Sequence, residues 1–289
     1  MTDLNAIRKK LLKEQRQLLV HKFFHNRLAV TGSLITFTML FLAIFAPVLA
    51  PQGPLDMTVA DRLQAPSAAH LFGTDTFGRD LFTRILYGAR VSMTIGFFVG
   101  IITMVVGMIL GLLASYYKVL DEILMRICDG LNAIPSTLLA IAFMSALGAS
   151  IVNVIVSLSI VSIPRMARIA RSSAIVVKEQ TYIEAVSAAG AKPLHIIFRH
   201  MAPNILSPVI VQASYVFANA IITEAALSFL GVGVPVPEPS WGNILYEGKD
   251  VIYNAWWMIV YPAVFTAVTV FGLNLFGDGL RDLLDPHTS

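Results

Sequence analysis

Hydrophobic residues fill 56% of the 289 positions and charged residues 13%, too little charge to clothe a water-soluble surface of this size, which excludes an ordinary soluble globular protein. The net charge of +3 comes without a basic run interleaved with aromatics, so a stacking groove for nucleic acid is excluded as well. Cys128 stands alone, which removes an intrachain disulfide or a cysteine zinc site and leaves a small buried apolar residue.

What remains is an all-α membrane protein. A hydrocarbon core of about 30 Å takes about 20 apolar residues in helical form, and several uncharged stretches are candidates. Residues 1–27 come first, with Arg8, Lys9, Lys10, Lys13, Arg16, Lys22 and Arg27 set against Leu4, Ile7, Leu11 and Leu18 at helical spacing, as in an amphipathic helix lying in the membrane surface. The apolar run 28–50 is too long for a secretory leader and reads as the first span. A segment rich in Pro and Gly, 51–88, reads as an external loop with short helices.

Five further spans are expected over 91–116, 131–147, 151–163, 204–230 and 256–277, about six in all, within a core running from 89 to 278 and followed by a tail, 279–289. Gly96, Gly100, Gly107 and Gly111 permit close helix approach, within the chain or to another subunit. Asn132 and Pro135 mark a bend. With both ends on one side, Arg62, Arg79, Arg84, Arg90 and Lys249 fall on the other, and 16 of the 21 Lys and Arg lie with the ends. The positive-inside bias then places both termini in the cytoplasm, and Trp241, Trp256 and Trp257 at the outer lipid interface.

Between the fourth and fifth spans lie about 40 residues, 164–203, more than a bare helix connection needs. A helix is expected from Lys178 to Ala189, stopped by Gly190 in a left-handed conformation, with Lys192-Pro193 opening a second. The small residues Ala185, Ser187, Ala188, Ala189 and Ala191 keep this elbow shallow enough for another protein to close over it.

In the fifth span Gln212, Tyr215, Asn219 and Thr223 fall in one sector of about 80°. This polar stripe either lines a substrate path beside a partner or hydrogen-bonds within the chain. Glu224, the ionisable residue expected well inside a span, lies off the stripe, and a structural role near the outer helix end stands beside substrate contact. His21 with His25, and His195 with His200, lack the glutamate of a zinc hydrolase and read as surface histidines. No G-x-x-x-x-G-K-[ST] loop is present to cradle ATP, and no G-x-S-x-G elbow or other catalytic constellation appears, so no enzymatic activity is expected.

Glu184-Ala185-Val186, with Gly190 and then Pro203 following, resembles the EAA coupling loop of ATP-binding-cassette (ABC) importer permeases, departing from its usual pattern at Val186, His200 and Ala202. Phe72-Gly73-Thr74-Asp75-Thr76-Phe77-Gly78-Arg79-Asp80, then Arg84, Gly88 and Arg90, is similar to the region preceding the core of peptide and nickel permeases. So are 224–233, 239–243 and 274–286. The resemblance covers nearly all of 22–287 and is to the second, C-type, permease of dipeptide or oligopeptide importers.

It implies a type I ABC importer permease fold in a prokaryotic plasma or inner membrane. Glu184, Ala185, Gly190, Ala191 and Pro203 would dock on an ATPase. The implied partners are a homologous second permease, two ATPases that hold ATP and Mg, and an extracytoplasmic binding protein delivering peptide, glutathione or nickel; no cofactor is implied in this chain. An ion-coupled secondary transporter is the competing class, with Glu224 as its one candidate coupling group.

Overall fold

The computed structural model describes residues 21–50 and 52–284. Most of the amphipathic segment expected over 1–27, and the end of the tail, lie outside them. Helix α1 (Arg27–Ile44) is capped by Asn26, whose Oδ1 accepts from the Ala29 amide at 3.0 Å. It passes into a short turn, α2 (Ala46–Leu49). Helix α3 (Leu81–Tyr116) runs 36 residues, about 54 Å, so it outreaches the hydrocarbon core. Its N-cap is Asp80, whose Oδ2 accepts from the Thr83 amide at 2.8 Å, so the segment expected as a loop over 51–88 ends there and not at 88.

Helices α4 (Lys118–Asn132) and α5 (Ser136–Leu147) meet at a bend of 92°. The bend expected at Asn132 and Pro135 is therefore a near right angle, and the third span is corrected: α5 alone has 12 residues, about 18 Å, and cannot cross by itself. The fourth span is corrected in the other direction. Helix α6 (Ile151–Lys178) does not stop at 163 but carries Pro164, Arg165, Arg168 and Arg171 within one helix of 28 residues. Met166, Ala167, Ala170 and Ala174 keep its far half packed, while Arg168 donates to Asp129 at 2.7 Å and Arg171 grips both oxygens of Asp121, both acids on α4. The expected 40-residue connection thus shrinks to a break around residues 179–192.

Within that stretch lies α7 (Thr181–Ala188); after it come the short α8 (Pro193–His195), and a π turn and 3₁₀ turn that lead without a gap into α9 (Leu206–Phe229). A surface helix, α10 (Trp241–Gly248), precedes the last long helix, α11 (Trp257–Leu284). Five of the described helical stretches are long and apolar enough to cross a bilayer, six if the bent α4–α5 pair counts as one span.

These helices give the body two ends. At one, which we call the cap, residues 52–80 and α10 cover the start of α3. At the other, the elbow end, lie α7 and α8, the finish of α3 and the finish of α6. Helix α1 begins and α11 ends at the elbow end, tied by Asn26 Nδ2 donating to Asp282 at 3.0 Å. The α3 glycines settle into packing within the chain: a Cβ at Gly107 would stand 2.5 Å from Met166, and one at Gly111 2.6 Å from the Ala167 carbonyl oxygen, so the backbones of α3 and α6 touch. Cys128 is buried.

Candidate functional site

The elbow is built by local chemistry. Helix α7 stops at Gly190, with φ +82°, and the stop is a Schellman motif: the Ala191 amide donates to Val186 O at 3.3 Å and the Gly190 amide to Ser187 O at 3.0 Å. Pro193 then starts α8, where its missing N–H costs nothing. Ile183, Ile196, Ile197 and Met201 are buried as anchors, while Glu184, Ala185, Gly190 and Pro203 are exposed and Ala191 and Val186 are half-buried. Two polar ties, neither legible beforehand, fasten the elbow to the long helices. Lys178 Nζ donates to the carbonyls of Ser115 and Tyr116, the orphan acceptors at the end of α3, at 3.1 and 3.4 Å. Asn204 Nδ2 donates to Tyr182 Oη at 3.0 Å and to His200 O at 2.6 Å, joining α7 to the root of α9. A groove of about 700 Å³ between the end of α3 and α7 includes Glu184 and Ser187.

The polar stripe on α9 divides. Gln212, Asn219 and Thr223 share a cavity of about 480 Å³ with Asn132 and Ser136 at the α4–α5 bend and Arg165 on α6. Tyr215 is not with them: its hydroxyl donates to Asp278 of α11 at 2.5 Å, and it borders a separate groove near Arg281. Gln212 edges both spaces. No Asp or Glu lines the first cavity among the described residues.

Glu224, 0% exposed, lies outside that cavity. It accepts from Ser92 Oγ of α3 and from Ser228 Oγ, each at 2.8 Å, and Ser228 Oγ in turn accepts from the Val234 amide at 3.0 Å. These bonds stitch α3, α9 and the chain leading to α10 at the cap end.

The cap holds a charge cluster that the pattern of residues did not disclose. Asp75 Oδ2 accepts from Arg79 Nε at 2.6 Å and from Arg84 Nη1 at 2.7 Å, and Glu247 of α10 accepts from Arg79 Nη2 at 2.7 Å and Arg84 Nη2 at 3.0 Å. Arg79 is 2% exposed and Arg84 0%. His70 Nδ1 lies 3.0 Å from Asp80. Arg84, in the first turn of α3, is a second fully buried ionisable group of the helices beside Glu224. The tryptophans need correction too: Trp241 and Trp257 are buried, with indole N–H groups donating to Ile85 O at 3.1 Å and Thr74 O at 3.0 Å, and Trp256 alone of the three is exposed. The cap covers the other two.

Residues 103–289 match the family described as the binding-protein-dependent transport system inner membrane component, and residues 14–66 match the N-terminal TM domain of oligopeptide transport permease C. The chain belongs to this family of inner-membrane transport components. It is 45% identical over 262 residues to the dipeptide transport system permease protein DppC of Alkalihalophilus pseudofirmus, covering 90% of this chain and 86% of that one. Identity is 44% over 272 residues to a putative peptide transport system permease protein of Brucella abortus, covering 94% and 90%. A glutathione transport system permease protein, GsiD of Pectobacterium atrosepticum, is 40% identical over 288 residues, covering 99% and 96%. Among solved structures, the inward-facing MetNI methionine ABC transporter shares the fold, with a TM-score of 0.59 at 21% identity over 70% of this chain and 97% of that one.

Proposed function

We propose that this chain is a permease subunit of an ATP-driven importer of short peptides, with ATP and Mg held by separate ATPase subunits that grip the α7–α8 elbow. The observation that carries the reading is continuity: the elbow runs through one π turn and one 3₁₀ turn into α9, the helix whose Gln212, Asn219 and Thr223 line the polar cavity. A push on the elbow reaches the cavity wall without crossing a flexible linker. The dipeptide and peptide names of its relatives support the substrate class, and the relative named for glutathione, itself a small peptide, supports that variant as a second reading.

The elbow end faces the cytoplasm, as do both termini. The excess of Lys and Arg on the side of the elbow and the chain ends supports this orientation. A homologous second permease completes the path, and an external binding protein delivers peptide to the cap. Ion-coupled transport loses its candidate carboxylate, because Glu224 is spent on serines away from the cavity.

In vesicles holding the whole complex, uptake should require ATP and survive an ionophore. Asn219→Leu should abolish uptake while the subunits still co-purify; undiminished uptake in that variant removes α9 from the path.

A further inference from the structure

We infer that Arg165 is a specificity-determining residue of the cavity, holding the free carboxylate of a peptide in passage. Three arginines, Arg165, Arg168 and Arg171, follow one another along α6, a turn or so apart, opposite α4. Arg171 is paired with Asp121 and Arg168 with Asp129, so the second rung joins residues 168 and 129. One turn further along both helices, in the same antiparallel sense, stand Arg165 and Asn132, and both line the cavity. Beside Arg165 the cavity wall carries the neutral amide of Asn132 and no acid, and Arg165 has no ion pair among the described residues.

Depth makes this consequential. Arg165 lies about 21 Å from the start of α6, less than the roughly 30 Å a helix needs to span the hydrocarbon, and its side chain is exposed on the open cavity. An arginine at such depth is costly unless it is paired or faces a polar space, and Arg165 faces one. A second group points the same way. Gln212 is 6% exposed, and its Nε2 has no hydrogen-bond partner among the described residues. A guanidinium, an unpartnered amide donor, and no carboxylate on the wall make a space that attracts a carboxylate and repels a bare metal cation.

The inference rests on the path reading above, and the test separates the two. The complete importer is reconstituted with its binding protein, and uptake of an alanine dipeptide is compared with uptake of its C-terminal amide. The binding protein is the same throughout, so a change in the ratio between permease variants belongs to the permease. Arg165→Gln should lower the carboxylate-to-amide ratio about tenfold, the worth of one charge-assisted hydrogen-bonded pair, and Arg165→Lys should largely keep it.

An unchanged ratio in Arg165→Gln, with Asn219→Leu still blocking uptake, overturns the carboxylate site and leaves the path standing. If both variants carry both peptides normally, the path falls and this inference with it. If Arg165→Gln stops both peptides, Arg165→Lys decides: recovery with the preference intact supports the assignment, and recovery without it, or no recovery, overturns it.

Discussion

The two ends of the molecule are fastened by opposite means. At the cap, Asp75, Arg79, Arg84 and Glu247 form a buried cluster, Glu224 is held by two serines, and two tryptophans are sealed under residues 52–80 and α10. At the elbow, four buried apolar anchors and a few single hydrogen bonds hold a short, largely exposed pair of helices. Buried charges that satisfy one another are expensive to separate, so the cap is a part that resists change; lone exposed ties are cheap to remake, so the elbow is a part that can be moved.

The sharpest way to break this contrast is Arg84→Met. It strands Asp75 and Glu247 with half their partners, and loss of one member of a buried ion cluster costs about 3–5 kcal/mol. Thermal unfolding of the detergent-solubilised complex should shift sharply downward, and an unaltered transition would show that the cap is not the rigid end.

Next in size is Gly190→Val. A Cβ there meets nothing within 4 Å, so the effect is purely of backbone, about 1–2 kcal/mol against the left-handed turn. The elbow re-aims without disturbing the core, and ATP hydrolysis should continue while uptake per ATP falls severalfold. Tight coupling in this variant would count against the elbow as the gripped part.

Lys178→Met removes the donor that caps the end of α3 and keeps much of the apolar stem, a loss of about 1 kcal/mol. Uptake should drop a few-fold while the unfolding temperature falls by only a few degrees, as expected if the tie transmits motion more than it stabilises. Glu184→Ala should be the mildest, since its exposed carboxylate adds to α7 only a first-turn charge and alanine keeps the helix. Titrating the ATPase subunit against this variant should show a small weakening and no loss of fold.

What could be read beforehand follows the range of the interactions. The elbow was legible because Gly190 and Pro193 act within a turn of themselves, and the bend at Asn132 and Pro135 for the same reason. The cap cluster was not, because Arg84 and Glu247 are 163 positions apart and an isolated arginine near a span end looks like an ordinary loop charge. Helix α6 was cut short at 163 because its arginines look like the start of a polar segment until Asp121, fifty positions away, is seen to hold Arg171. Tyr215 sat well on a helical wheel with Gln212 and Asn219, but the wheel does not show which neighbour each residue meets, and Asp278 takes its hydroxyl.

The right-angled break between α4 and α5 bears on how the protein can exist in a cell. On that flank helix α5 reaches about 18 Å of the roughly 30 Å of hydrocarbon, and Asn132, Ser136 and Thr137 are exposed at the break. A copy inserted by itself must pull water or lipid headgroups into the hydrocarbon to satisfy them. Covering that flank, whether by water, headgroups or another subunit, is therefore a requirement of the fold in the bilayer, apart from any question of transport.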